Sequence, residues 1–235
     1  MVAVAVFAAA FVQAISGFGF ALLAVPLMTL KVGTKEAVVI TTLLGAGVTL
    51  FQAWHHRHHV ERAIARRMTI GAYAGMPIGF WVYVSVNEAV LRGMLGVAVL
   101  IAVILLAINL NLTRAGPGLE LGAGFVSGVL NTSLSTNGPP LVLALQARQL
   151  PPDAFRGTLN TVFGLSNVFS ITLFLVAGRV NHDGVVAAAV ALPALFDGQL
   201  AGFPVRRHVA GARFRVLVLG LLVLAAFISI ASALT

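Results

Sequence analysis

Long apolar stretches separated by short polar loops run along the whole chain. Six of these stretches are close to the roughly 20 predominantly apolar residues that a helix needs to cross a bilayer. They are residues 37–54, 68–86, 90–110, 157–177, 184–204 and 214–234. Two further apolar segments, 3–30 and 119–148, are interrupted near their centres by polar residues, glycine or proline. The pattern predicts an all-α polytopic membrane protein that forms a single membrane domain, residues 1–235.

The interruption is strongest in segment 119–148. The polar runs 131–133 and 135–137 stand where the hydrocarbon would be deepest, and Gly138, Pro139 and Pro140 follow them. Proline cannot donate a backbone hydrogen bond, and irregular backbone survives at membrane depth only where protein packs around it or a cavity adjoins it. We therefore expect a broken, re-entrant helical hairpin whose tip forms a site. Segment 3–30 has a milder break at residues 16–19.

The order of segments recurs, which predicts two internal repeats, 1–115 and 116–235, each a broken segment followed by three transmembrane helices. The loops 55–67 and 206–215 are the strongly basic ones, and basic loops face the cytoplasm. If both do so, the repeats are inverted and the two hairpins open towards opposite faces. This arrangement places Lys31 and Lys35 outside. The alternative is eight spans with parallel repeats.

Composition narrows the class of protein. The chain is 59% hydrophobic and 9% charged, and its formal net charge of +8 lies in loops, which suits anionic lipid better than nucleic acid. It has no cysteine, which excludes disulfides and thiol catalysis. No HExxH or GxSxG motif occurs, so an enzyme is not expected. We expect no cofactor, no nucleic-acid partner and a multi-pass membrane protein.

The two tips are the candidate site. Inverted repeats with discontinuous helices are typical of secondary transporters, whose substrate lies near the midplane. Helix N-termini there offer free N–H groups and partial positive charge to an anion. The alternative for each hydroxyl or amide is a local bond to the helix backbone. The candidate substrate-binding residues are Ser16, Gly17, Phe18, Gly19 and Phe20 at the first tip, Asn131, Thr132, Ser135, Thr136, Asn137 and Gly138 at the second, and Thr41, Thr42, Thr158 and Asn160 as further lining.

Charged residues near the spans suggest coupling or gating roles. Asp197 is the one carboxylate inside a predicted span, and an intramembrane acid is a functional candidate by default. It would carry a coupling proton or pair with Arg206 or Arg207. Arg156 stands at the predicted cytoplasmic mouth of the span after the second hairpin, where it would attract anions or snorkel to the interface. The cluster His55–His59 allows a metal interpretation, although Arg57 lies within it.

Two motifs resemble a known family. Residues 16–27, SGFGFALLAVPL, and residues 138–143, GPPLVL, are similar to the paired motifs of the sulfite exporter TauE/SafE family of bacterial and archaeal inner-membrane proteins. The likeness covers essentially the whole chain and includes residues 35–37, residues 152–154 and the glycine-rich spans 68–86 and 184–204. It implies transport, typically export, of sulfite, sulfonates or related organosulfur anions, with proton coupling as one option. Many relatives carry a glycine run where this chain has residues 137–140.

The sequence thus predicts a secondary transporter for a small sulfur-containing oxyanion, working by alternating access between the two tips. Its expected partners are that anion and the lipid bilayer. The alternatives are an anion channel and a carrier for another substrate, such as a metal ion bound with the loop His55–His59. The direction of transport, the coupling ion and the oligomeric state, for which a homodimer is one option, stay open at this point.

Overall fold

The computed structural model describes residues 2–108 and 116–205, together with helical residues 219–220, 222–227 and 229–231 near the C-terminus. Within these ranges every regular element is a helix and no strand occurs. The predicted all-α architecture is therefore confirmed. The predicted last span, 214–234, lies largely outside the described residues.

Both predicted breaks divide their segments into two helices. The elements are α1 Val2–Ser16, α2 Phe20–Met28, α3 Thr34–His55, a 3-10 turn Arg57–His59, α4 Arg62–Ser85, α5 Glu88–Ile108, α6 Pro117–Leu134, α7 Gly138–Ala147, α8 Pro152–Val176 and α9 His182–Val205. By length and composition, four of the described helices are apolar enough to cross a membrane: α3, α5 over residues 88–105, α8 and α9. The helix α4 is long enough but is not among them, since its polar residues lower its hydropathy.

The second hairpin, α6 with α7, returns to the end from which it started. Glu120 in the first turn of α6 accepts a hydrogen bond from Arg148 Nε, just after α7, at 2.7 Å. The same carboxylate, fully buried, forms an ion pair with Arg67 near the start of α4. We call this end of the bundle, which also carries the turn Arg57–His59, the basic end. The contact between the two ends of the hairpin is what a re-entrant segment requires and does not fit the eight-span alternative.

The first hairpin, α1 with α2, enters from the other end of the bundle. Val2 and Ala3 lie beside His182 and Asp183 at the start of α9. At the end of α2, Met28 Sδ lies 3.6 Å from Thr41 Oγ1. Ile40, the neighbour of Thr41 in the chain, lies beside Gly184 near the start of α9. Both ends of this hairpin are therefore at the end of the bundle remote from Arg67, which we call the opposite end.

The opposite end also carries Lys35. The backbone N–H groups of Thr34 and Lys35 donate to the Glu88 carboxylate, at 2.6 and 3.3 Å, where α4 gives way to α5. Lys35 Nζ contacts the Val84 carbonyl oxygen. The structure thus places Lys35 away from the basic loop, and a carboxylate stands beside its backbone.

The helices α3 and α8, which hold corresponding positions in the predicted repeats, run antiparallel through the centre. Gly157 lies against His56, Gly164 against Leu50, and Gly45 against Asn167. Each hairpin also packs on a helix of the other half, α6 on α4 and α1 on α9. This reciprocal, antiparallel arrangement is the one that inverted repeats require. The assignment of the repeats 1–115 and 116–235 stays a prediction.

Glycines let these helix pairs approach closely. A Cβ on Gly75 would collide with the carbonyl oxygen of Phe125 in α6, and one on Gly198 would lie 2.5 Å from the carbonyl oxygen of Phe7 in α1. Small residues spaced four apart are the usual way for membrane helices to pack backbone against backbone. Gly79 and Gly202 lie in the same seams, so all four glycines of the small-xxx-small pairs have a packing role.

Candidate functional site

The two tips meet at a cavity of about 40 Å³ in the middle of the bundle. A single water needs about 10–15 Å³ by the same kind of measure, so the space suits a few waters or one small ion. None of its described lining residues is ionisable. They are Gln13, Gly19, Phe20, Ala21, Leu22, Thr41, Gly45, Thr49, Ser135, Thr136, Asn137, Gly138, Phe163 and Asn167.

The first tip presents backbone N–H groups. Gly19 precedes α2 with φ 96°, a left-handed conformation that favours glycine. The first intrahelical bond of α2 runs from Leu23 N–H to the Gly19 carbonyl oxygen, so the N–H groups of residues 20–22 have no partner within the helix. These three residues line the cavity. The N-terminus of α2, with its partial positive charge, therefore faces it.

The second tip adds side-chain donors. Ser135 ends α6 with φ 58°, and the N–H groups of Ser135 and Thr136 cap the carbonyl oxygens of Asn131 and Leu130, at 2.8 and 3.2 Å. Ser127 Oγ donates to the Asn137 carbonyl oxygen at 2.9 Å and holds the turn. Thr136 Oγ1 and Asn137 Nδ2 are buried and have no hydrogen-bond partner in the described structure. Two acceptors near the end of α6 are thus satisfied, while the side-chain donors of Thr136 and Asn137 stay available.

The helices α3 and α8 complete the lining with the predicted Thr41 and with further residues that were not predicted, among them Gly45, Thr49 and Asn167. Thr41, Gly45 and Thr49 recur at every fourth position of α3 and so share one face. Asn167 of α8 donates to Thr49 Oγ1 at 3.4 Å. The spacing of Thr41 and Thr49 was a usable signal, whereas Asn167 and Gln13 are single polar residues in apolar helices, and only packing brings them to the tips.

Seven of the predicted binding residues line the cavity: Gly19, Phe20, Thr41, Ser135, Thr136, Asn137 and Gly138. Three others lie just behind it. Phe18 is 3.6 Å from where a Cβ would stand on Gly138, Ser16 Oγ donates to the Phe18 carbonyl oxygen at 2.6 Å, and Thr42 Oγ1 is 3.1 Å from Ser135 Oγ. They shape the tips rather than form the cavity wall.

The remaining predicted residues lie elsewhere. Thr132 Oγ1 donates to the Met76 carbonyl oxygen at 2.8 Å and so joins α6 to α4. Asn131 is buried without a side-chain partner but outside the lining. Thr158 Oγ1 accepts from Glu61 N–H at the basic end, and Asn160 Nδ2 donates to the Arg156 carbonyl oxygen. The structure does not bring these four side chains to the cavity.

The charged candidates also lie away from the cavity. Asp197 is exposed on the outer surface of α9, and Arg206 and Arg207, its predicted partners, fall outside the described residues. Arg156 and Gly17 instead line a second cavity at the basic end. In the described part of the chain no three histidine or acidic residues lie close enough to hold a metal ion, which leaves the metal interpretation of His55–His59 without a ligand set there.

Comparison with known proteins identifies the family. The family described as sulfite exporter TauE/SafE matches residues 2–228, nearly the whole chain. No curated protein and no solved structure gives a significant match. The family match agrees with the motifs at the two tips, with the helical architecture and with the four described helices that are apolar enough to cross a membrane. The chain is a multi-pass membrane protein and belongs to the sulfite exporter TauE/SafE family of transporters.

Proposed function

We propose that this protein is a secondary transporter that exports a small sulfur-containing oxyanion, such as sulfite, thiosulfate or an organosulfonate. The observation that carries the proposal is the meeting of two helix N-termini, those of α2 and α7, at one buried cavity where no described lining residue is ionisable. An anion there receives hydrogen bonds from neutral donors and two partial positive charges. Binding without a fixed countercharge allows release within each transport cycle.

The donors suit an oxyanion in particular. Thr136 Oγ1, Asn137 Nδ2 and the N–H groups at the start of α2 surround the same small space. Hydrogen bonds to a charged partner contribute about 1.5–3 kcal/mol each, whereas a buried donor without a partner costs a similar amount. The cavity is therefore lined by donors that lack a protein acceptor, and an oxyanion with several acceptor oxygens satisfies them together.

Alternating access requires that the cavity be closed on one side, and aromatic side chains lie on the side towards the opposite end. Phe174 lies seven residues beyond Asn167 on the same face of α8, about 10 Å along the helix axis. It is buried among Phe80 and Tyr83, with ring centroids at 5.9 and 5.0 Å. We infer that this aromatic cluster closes the path from the cavity to the opposite end. A carrier that rocks about its site would open that cluster in another state.

The test is sulfite transport by purified protein in liposomes, measured as counterflow of labelled sulfite with thiosulfate, sulfate, sulfoacetate and taurine as competitors. We expect saturable flux, and Asn137→Ala should lower its kcat/KM by roughly 10- to 100-fold because one or two charged hydrogen bonds are lost. Gln146→Ala removes an exposed amide from the same helix and should change nothing. Absence of saturable flux of any sulfur oxyanion would overturn the proposal, and flux without counterflow stimulation would identify a channel.

A further inference from the structure

A second and larger cavity opens at the basic end, directly beside the central one. Its volume is about 350 Å³, and it shares one lining residue, Gln13, with the central cavity. We call it the vestibule. It is lined by Gln13, Ala14, Gly17, Phe51, Gln52, His55, His56, Arg156 and Phe203. The first tip thus has the central cavity on one side and the vestibule on the other.

The vestibule is cationic where the central cavity is neutral. The half-buried Arg156 projects into it next to Gly17, and its Nε lies 3.8 Å from where a Cβ would stand on that glycine. Within the described residues no carboxylate lies within ion-pair distance of Arg156, and none lines the vestibule. The imidazoles of His55 and His56 add further polar groups. Because the walls of the vestibule have a low dielectric constant, the guanidinium of Arg156 raises the local concentration of small oxyanions.

Gln13 forms the wall between the two spaces. It is 3% exposed, and its Oε1 accepts a hydrogen bond from Gln199 Nε2 at 3.2 Å. Gln199 Oε1 in turn lies 3.5 Å from Gln52 Nε2, which belongs to the vestibule. This chain of three amides fixes the carbonyl group of Gln13. The Gln13 amide N–H groups, which have no acceptor among the described residues, are left for the two cavities.

We propose that the vestibule is a second binding site for the same class of small oxyanion. Arg156 receives the anion there, and Gln13 passes it between the vestibule and the central cavity. The proposal rests on the proposed function for the identity of the ligand. It adds a second site, which has a fixed positive charge. The anion binds there on the basic-end side of the neutral central site.

Transport kinetics give the first test. Arg156→Gln should lower kcat/KM for sulfite counterflow on the order of tenfold at low ionic strength, and added salt should reduce the difference because it screens the charge. Arg156→Lys should retain most of the rate. Arg66→Gln removes an exposed positive charge at the same end but outside the vestibule and should stay within twofold of the parent. Equal effects of Arg156→Gln and Arg66→Gln would overturn the proposal, whereas no saturable flux in the parent would instead overturn the proposed function.

A binding measurement separates the two sites. The chain has no cysteine, so Phe203→Cys places a single thiol in the vestibule and His58→Cys places one outside it at the same end. Ethanesulfonate, which unlike sulfite does not react with thiol reagents, should slow maleimide labelling of the first thiol and not of the second. Protection should persist when Asn137→Ala is added and disappear when Arg156→Gln is added. Protection that disappears with Asn137→Ala but withstands Arg156→Gln would assign all binding to the central cavity and contradict the proposal.

Discussion

The two tips reach one cavity by different means. At the first tip, Gly17 and Gly19 have φ values of 86° and 96°, and residues 19–22 offer backbone N–H groups but no polar side chain. At the second, the left-handed residue is Ser135, and the side chains of Thr136 and Asn137 supply the donors. Because Pro139 and Pro140 lack N–H groups, the N-terminus of α7 has fewer backbone donors than that of α2. Side chains make up the difference.

The tips also differ in how their bases are fixed. The second hairpin is joined at the basic end by the buried Glu120 between Arg67 and Arg148, whose side chains are 27% and 28% exposed. At the base of the first hairpin, the described residues form no ion pair of this kind. The second hairpin is therefore fixed at its base by ion pairs and supplies side-chain donors at its tip. The first hairpin is fixed by packing on α9 and supplies backbone donors at its tip. We infer that the first hairpin is the more readily displaced of the two.

Removing the anchor should give the largest effect. Glu120→Gln leaves Arg67 and Arg148 without their carboxylate, and breaking a buried ion pair costs about 3–5 kcal/mol. We expect a marked fall in the thermal midpoint of the detergent-solubilised protein. Asp153→Asn removes an exposed carboxylate at the same end and should have a small effect. Similar midpoints for the two variants would show that the second hairpin does not depend on its ion pairs.

The glycine seams should give the next largest effect. Gly75→Ala places a methyl group against the carbonyl oxygen of Phe125, and overpacking of this kind costs about 1–3 kcal/mol. Gly122 faces away from the seam, with no atom within 4 Å of its Cβ position, so Gly122→Ala should be neutral or slightly stabilising. Thermal unfolding of both variants measures the difference. If Gly75→Ala proved as stable as Gly122→Ala, α6 would not be held by this backbone contact.

Alanine substitutions of the glycines at the tips should give a smaller effect, which is specific to transport. Gly19→Ala meets no neighbouring atom, but a side chain at φ 96° costs about 1–2 kcal/mol. Relief of this strain would turn the N–H groups of α2 away from the cavity and lower kcat/KM about tenfold. Gly138→Ala has no such strain, and its nearest atoms are 3.6 and 3.8 Å away, so it should remain within about threefold. A larger loss in Gly138→Ala would contradict the division between backbone and side-chain donors.

The features that could be predicted from the sequence are those that depend on residues close together in the chain. Glycine, proline and clustered hydroxyls at membrane depth cannot continue a simple span, so the breaks near Gly19 and Gly138 were visible before any contact was known. The direction of each hairpin followed from loop charge, and the contact between Glu120 and Arg148 agrees with it. Helix length and apolar content likewise predicted α3, α5, α8 and α9 within a few residues.

Contacts between distant segments could not be predicted in this way. Gln13 and Asn167 reach the cavity only because α1 and α8 rotate those faces inwards. Thr158 and Asn160 looked equivalent to Thr41 and Thr42, yet the register between α8 and α3 places them at the basic end. Glu120 could not be predicted either, because its partners are 53 and 28 residues away. A single sequence contains no direct record of such pairings.

If neutral donors at the two tips bind an anion, that anion should stabilise the detergent-solubilised protein against thermal unfolding. A ligand at 100 times its Kd stabilises the folded state by about 2.7 kcal/mol, so the midpoint of the parent should rise with sulfite concentration. Asn137→Asp keeps the size of the side chain and adds a negative charge to the cavity. We predict that sulfite no longer raises the midpoint of this variant, and an equal rise in the parent and in Asn137→Asp would contradict the account.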